Sequence, residues 1–166
     1  SARANQRTVA RLRARGVRIG EGCVIHTEQF STEPYLVMLG DRVGISGGVK
    51  FLAHDGAAWL LRQRRPSAQA FGAIAVGDDC YIGENALLLA GTRVGRGCIV
   101  AAGAVVRGSF PDNSVIAGNP AKVAGRASLL VELLDRSDTT LDTLHLDGEQ
   151  RRRLLLQRVT AEGSLP

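Results

Sequence analysis

The chain has 166 residues, enough for one domain with a core of its own. Its 21 Lys and Arg outnumber 16 Asp and Glu, and the net charge of +5 favours an anionic ligand. A nucleic acid is not expected, because only 4% of residues are aromatic and they are scattered, and no apolar run approaches the roughly 20 residues of a membrane span.

Ser1 to Arg15 is rich in Arg and Ala, and its first acid comes only at Glu21. Transit peptides share that balance, but Val9 and Leu12 fall on one helical face and a repeat begins directly after Gly16. Residues 1–16 are therefore expected to form a helix that covers the open end of the repeat array. The first repeats are Ile19-Gly-Glu-Gly-Cys-Val and Ile25-His-Thr-Glu-Gln-Phe. An insertion from Ser31 to Met38, with Pro34 and Tyr35, breaks the phase, and the series resumes at Leu39, Ile45 and Phe51. Pro34 makes this insertion a loop or an edge. After Phe51 the repeat stops again, and a long loop over about 55–73 carries Trp59, Leu60, Leu61 and Phe71 around Arg62, Arg64 and Arg65. It is too apolar to be wholly solvated and is expected to pack on something, such as a neighbouring subunit.

From Val76 the period is unbroken, with Val76, Ile82, Leu88, Val94, Val100 and Val106 six residues apart. Six is a multiple of the strand period of two, so every one of these residues returns to the same side of an extended chain, which a helix cannot achieve. Four residues after each stand Cys80, Ala86, Thr92, Cys98, Ala104 and Phe110, mostly small, as a second inward side chain at a tight corner must be. Glycines at 77, 83 and 95, and again at 91, 97 and 103, mark turning backbone. Short strands joined by tight turns and stacked coil on coil make a parallel β-helix of hexapeptides over residues 17–126. Cys23, Cys80 and Cys98 all fall on the inward corner position, so they read as core filler; three cysteines without C-x-x-C spacing fit a reducing compartment, and a cytoplasmic location is expected.

The solenoid is expected to end near Val123, and residues 127–166 read as a helical extension. From Ser128 the period becomes helical, with Leu130, Leu133 and Leu134 on one face. A second helix is expected after Asp147, where Asp147 and Gln150 have capping-box spacing ahead of Leu154, Leu155 and Val159; Arg151 to Arg153 form its solvated face.

Val76-Gly-Asp-Asp-Cys-Tyr-Ile-Gly-Glu-Asn-Ala, Leu89-Ala-Gly-Thr-Arg-Val-Gly, Ala101-Ala-Gly-Ala-Val-Val and Ile116-Ala-Gly-Asn-Pro-Ala-Lys-Val closely resemble the hexapeptide-repeat acyltransferases. The nearest branch is similar to the sugar O-acetyltransferases and xenobiotic acetyltransferases. The resemblance covers roughly Val17 to Arg126, and its Gly-Asn-Pro-Ala-Lys element is far more specific than the hexads. It implies a left-handed β-helix, a homotrimer, and acetyl-CoA held between adjacent subunits. The coil sense does not follow from the periodicity and opposes the usual right-handed crossover.

Moving an acyl group from a thioester to a hydroxyl or amine needs a base for the acceptor's proton, and histidine is best suited near neutral pH. Of three histidines, His145 lies in the C-terminal extension and His26 directly follows an inward residue, which sends it outward. His54 stands where the regular coil gives way to the long loop, a place both firmly held and open to ligand. The resemblance aligns His54 with the family's base. The acceptor would attack the thioester directly, with a backbone N–H on the oxyanion. Asp55 and Glu33 are candidates to orient His54 or touch the acceptor, although adjacent residues on an extended chain point apart.

For the cofactor, the resemblance places Tyr81 and Asn85 at ligand-contacting positions and Ala102 where a small residue admits the pantetheine arm. It places Lys122, with Arg126 and Arg107, near the nucleotide phosphates. Val106-Arg107-Gly108 departs from the Thr-Lys of many relatives at that point. No metal is expected: a γ-class carbonic anhydrase would need three histidines on zinc, and His26 and His54 lack paired spacing. A noncatalytic trimeric scaffold would carry the same solenoid. An amine N-acetyltransferase acting on a nucleotide sugar would share the same base, and the sequence leaves the acceptor open, with a sugar hydroxyl favoured.

Overall fold

The computed structural model describes residues 2–161 and the side chains of 2–158, so the expectation for Val159 as an apolar helix position lies outside the described side chains. The chain divides into two compact units, 1–130 and 131–166. The first unit is a parallel β-solenoid with three faces. The first face stacks Arg18–Ile19, Val37–Leu39, Ile74–Val76, Arg93–Val94 and Ser109–Phe110. The second stacks Val24–Ile25, Gly44–Ile45, Tyr81–Ile82, Ile99–Val100 and Ser114–Gly118, and Ala121–Arg126 adds an antiparallel edge strand. The third stacks Lys50–Leu52, Leu87–Leu89 and Val105–Val106.

Register follows the hexads. Val76 pairs with Val94, Ile82 with Val100 and Leu88 with Val106, so one coil takes eighteen residues in the regular stretch. Each of these aliphatic residues is 4% exposed or less, and the corner residues Cys80, Ala86, Thr92, Cys98 and Ala104 are buried with them. The core is therefore a column of aligned side chains, each contributing on the order of 1.5–3 kcal/mol by burial for the larger aliphatics. The buried Thr92 donates its hydroxyl to the Val106 carbonyl at 2.9 Å, which lets a polar side chain occupy that column. The cysteines behave alike. The Cys23, Cys80 and Cys98 thiols donate to the carbonyls of Gly40, Gly95 and Pro111, each in the adjoining coil. Burial pushes the Cys80 thiol up to about 11 and raises that of Cys23.

Two glycine types serve the corners. At Gly83 the backbone of the next coil is so close that an added Cβ would lie 2.5 Å from the Ala102 nitrogen. At Gly103 the surroundings are open, and the φ of +69° is what favours glycine. Asp79 and Asn85 occupy the same kind of turn with φ of +56° and +58°, a conformation that Asp and Asn tolerate better than most residues.

Three details differ from the hexad count. Phe30 closes the first coil one residue early, bridging to Phe51 and stacking on its ring at 4.4 Å; the insertion begins at Ser31 as expected and is partly ordered by a 3-10 turn at Pro34–Leu36, but it ends before Val37, since Val37 and Met38 already belong to a first-face strand. Phe110 is not a corner residue. It pairs with Val94 on the first face, because the coil shortens at Gly108, where φ is +99°. The stretch 55–73 is a built arm, with strand His54–Asp55 paired antiparallel to Ala70–Phe71 and a 3-10 segment, Gly56–Leu61, between them.

Helix α1 (Ala2–Ala14) buries Leu12 in the core with Val9 packed against it, and the Asn5 side chain bridges the Cys23 carbonyl and the Ile25 N–H. At the other end, α2 (Ala127–Asp135) begins where Asn113 accepts the Ala127 N–H on its carbonyl and the Ser128 N–H on its side chain. In the second unit, α3 (Gly148–Ala161) opens with the anticipated capping box: Asp147 Oδ1 accepts from the Gln150 N–H, and Gln150 Oε1 accepts from the Asp147 N–H. Leu130 of α2 is half-buried, whereas Leu133 and Leu134 of α2 and Leu155 of α3 stay exposed. Among the described residues, no helix is long and apolar enough to cross a membrane.

Candidate active site

His54 leaves the third face directly after Lys50–Leu52 and starts the arm. Its ring is half-buried against Phe71, with ring centroids 4.9 Å apart at 38°, because the antiparallel pairing sets the two residues opposite each other. The residue before it is pinned as well. The Ala53 N–H donates to Ser31 Oγ at 3.2 Å, and that hydroxyl donates to Glu33 Oε2 at 3.1 Å. Glu33 also accepts from Thr32 Oγ1 at 2.7 Å. Glu33 is thus tied to the strand that presents His54 through Ser31.

Asp55 turns away from this chain of bonds. Its Oδ1 caps the 3-10 segment by accepting the Ala57 N–H at 3.0 Å, and its Oδ2 accepts from the Arg107 guanidinium at 2.6 Å. These bonds, the Ala57 N–H first and Arg107 next, hold the Asp55 carboxyl below its ordinary range. The expected divergence of adjacent side chains holds here: among the described residues, no hydrogen bond joins Asp55 to the His54 imidazole.

The imidazole borders two recesses. One, of about 190 Å³, is shared with Leu52, Asp55, Leu89, Ala90 and Arg107. The other, of about 380 Å³, lies under the arm and is lined by Ala58, Trp59, Pro66, Ser67, Ala68 and Gln69. Arg62 stacks its guanidinium 4.4 Å from the Trp59 ring centre and donates to the Trp59 carbonyl, which steadies the indole and leaves it one free face. Trp59 and Leu60 are largely exposed, so within one chain the apolar arm is not covered.

The residues anticipated for the cofactor lie elsewhere on the solenoid. Tyr81 is half-exposed on the second face, and its hydroxyl hydrogen-bonds Ser46 Oγ at 2.8 Å. Asn85 and Ala102 are exposed in the turns that lead from the second face into the third. Lys122 and Arg126 are exposed on the antiparallel edge strand, opposite Ala117 and Ser114. His54 follows the third face while Asn85 and Ala102 precede it, so one chain sets them at the two borders of that face. Arg107 alone of the anticipated cofactor residues is beside His54. His26 is exposed after the second face, as expected of a residue following an inward aliphatic, and His145 lies in the second unit, 3.6 Å from Asp142. Ser31, the ring contact of Phe71 with His54 and the pairing of Arg107 with Asp55 were not legible, since each acts across a gap of 17 residues or more from its partner, although Phe71 itself stood out in the long loop as an aromatic able to face an acceptor.

The family described as bacterial transferase hexapeptide (six repeats) matches residues 74–108, the regular part of the solenoid. Protein CapG of Staphylococcus aureus is 37% identical over 134 residues, which is 78% of this chain and 78% of that protein. The chain belongs to the hexapeptide-repeat transferase family. Within this family, a Staphylococcus aureus 2,3,4,5-tetrahydropyridine-2,6-dicarboxylate N-acetyltransferase is 47% identical over 77 residues, 45% of this chain and 31% of that enzyme. Among solved structures, a serine acetyltransferase from Brucella abortus in complex with coenzyme A aligns with a TM-score of 0.52 and 25% identity, over 67% of this chain and 40% of that one. This hexapeptide-repeat protein therefore spans less than half of either acetyltransferase.

Proposed function

We propose that this hexapeptide-repeat protein transfers the acetyl group of acetyl-CoA to a hydroxyl of a sugar or sugar-containing metabolite, with His54 as general base. The observation that carries this reading is the position of the imidazole between two recesses, one of them under an arm that offers an indole face, a hydroxyl and a carboxamide. Trp59, Ser67 and Gln69 are the chemistry that grips a neutral polyol, by ring stacking and by hydrogen bonds. Among the described residues lining that recess, His54 is the only titratable one, which disfavours a phosphorylated or dicarboxylate acceptor.

In the reaction, the imidazole takes the acceptor's hydroxyl proton as the oxygen adds to the thioester carbonyl, and a backbone N–H stabilises the oxyanion. The tetrahedral intermediate then expels the CoA thiolate, which regains the proton from the imidazolium. Tyr81, Asn85 and Ala102 would bind the pantetheine arm, and Lys122 and Arg126 the phosphates. Because Asn85 and Ala102 lie at the border of the third face opposite His54, and Tyr81, Lys122 and Arg126 belong to the second-face sheet beyond it, the reading includes a homotrimer in which one subunit's His54 meets its neighbour's cofactor wall. It also includes a left-handed coil, α1 as the cover of the first coil, a helical extension from residue 127, of which 162–166 lie outside the described residues, and a cytoplasmic location.

The test is release of CoA thiol from acetyl-CoA with a panel of neutral sugars, amino sugars and nucleotide sugars. His54→Ala is expected to lower kcat at least about 100-fold, the lower end of general-base contributions. Full turnover by this variant would remove His54 from the mechanism. Turnover confined to amino sugars would instead favour the N-acetyl reading, and no binding of acetyl-CoA would favour the noncatalytic scaffold.

A further inference from the structure

The Arg107 guanidinium travels far to reach its partner. It leaves the last strand of the third face, at Val105–Val106, and meets Asp55, which stands two coils earlier, past Leu89. Asp55 directly follows His54, and its other carboxylate oxygen starts the arm's first turn. Among the described residues bordering the two recesses around the imidazole, Asp55 and Arg107 are the only charged ones. The paired strand Ala70–Phe71 contributes an aromatic ring, and Gly56–Leu61 carries no titratable side chain. Arg62 is turned onto Trp59, Arg64 and Arg65 are exposed, and Glu33 is engaged by Ser31 and Thr32.

We propose that Arg107 is a positioning residue for the His54 base: by binding Asp55 it sets an opposing charge against that carboxylate beside the imidazole and fixes the first turn of the arm to the solenoid. This assignment rests on the reading of His54 as base, and it replaces phosphate binding as the task of Arg107. A free carboxylate beside the imidazole would stabilise the imidazolium, so the neutral form needed to take a proton would be available only at higher pH. A free guanidinium would do the opposite. With the two charges joined, neither acts alone on the base.

The experiment is a pH profile of kcat/KM for Arg107→Gln, Asp55→Asn and the double variant. Arg107→Gln is expected to move the acid limb to higher pH, losing about threefold more activity at pH 6 than at pH 8, the effect of one unit charge at roughly 6 Å in a water-like medium. Asp55→Asn is expected to move the limb to lower pH, and the double variant to return it toward the parent. The KM for acetyl-CoA should stay within about twofold in Arg107→Gln. Limbs that coincide in all variants, or a rise in the KM for acetyl-CoA without a displaced limb, would overturn the assignment. Proton NMR titration of the His54 imidazole, identified among three histidines by His54→Gln, reads the same displacements without any substrate. Opposite displacements of the His54 midpoint in a protein that turns over no acceptor would uphold the pairing while sinking the acyl-transfer reading. Displacements that are absent there would sink the pairing itself.

Discussion

The close approach at Gly83 supports a quantitative comparison with Gly103, one coil further on. In Gly83→Ala the new Cβ would stand 2.5 Å from the Ala102 nitrogen, 2.8 Å from the Val100 oxygen and 2.9 Å from the Ala101 carbonyl carbon. All three are backbone atoms of the next coil, so no side chain can swing aside. Restoring an ordinary contact of 3.4 Å to that nitrogen requires the corner to open by about 0.9 Å. The Gly83 N–H to Val100 oxygen bond and the Gly103 N–H to Glu84 oxygen bond, both 2.8 Å, would then be stretched beyond hydrogen-bond reach. Two such bonds at about 1 kcal/mol each, with the accompanying loss of packing, predict a destabilisation of about 2–3 kcal/mol. Gly103→Ala meets no atom within 4 Å and suffers only the positive φ, for about 1 kcal/mol. Urea unfolding followed by far-UV circular dichroism, at one fixed protein concentration, measures both. If the two variants differed by less than about 0.5 kcal/mol, the tight stacking of coils at this corner would be refuted.

The core and the arm yield two other expected outcomes. The three buried thiols are expected to resist a disulfide-exchange reagent at pH 8 in the native protein and to react fully after unfolding, since burial disfavours the thiolate of Cys23 and Cys80; rapid native labelling would contradict their inward placement. Asp55 has a lowered carboxyl, so its cap on the 3-10 segment is fully present above the ordinary carboxylate value of about 4 and is lost as pH falls through its lower folded value. Emission from Trp59, the only tryptophan, should therefore stay constant down to about pH 4 and change below it, and a transition above that range would contradict the cap.

The solenoid was legible because its rule is local. An inward aliphatic every six residues, with a small residue four further on, dictates both the faces and the burial of the cysteines, and the pairing of Val76, Ile82 and Leu88 with Val94, Val100 and Val106 matches that count. Legibility stopped where the chain changes its step. Phe30 shortens the first coil, and the Gly108 turn brings Phe110 opposite Val94; neither has a signature that a six-residue count detects. Within the candidate site, His54 was visible as the point where regularity ends. Its surroundings were not: Arg107 meets Asp55 across 52 residues of sequence, a separation that only the stacking of coils closes. The ordered arm was likewise hidden, because the strand pair at its base is two residues long and has no periodicity to read.

That short pair has a further consequence for how proteins of this architecture can diversify. His54–Asp55 and Ala70–Phe71 make a neck through which the arm leaves the solenoid and returns to it at a single corner. On either side, Phe51 keeps its register with Leu88, and Leu39 with Val76. Residues 56–69 can therefore be exchanged as a cassette, altered in length or composition, without shifting any coil against its neighbour. A neck-bounded swap of this kind separates the chemistry the arm presents from the foldability of the scaffold, so fourteen residues can be transplanted while the column of buried side chains stays as it is.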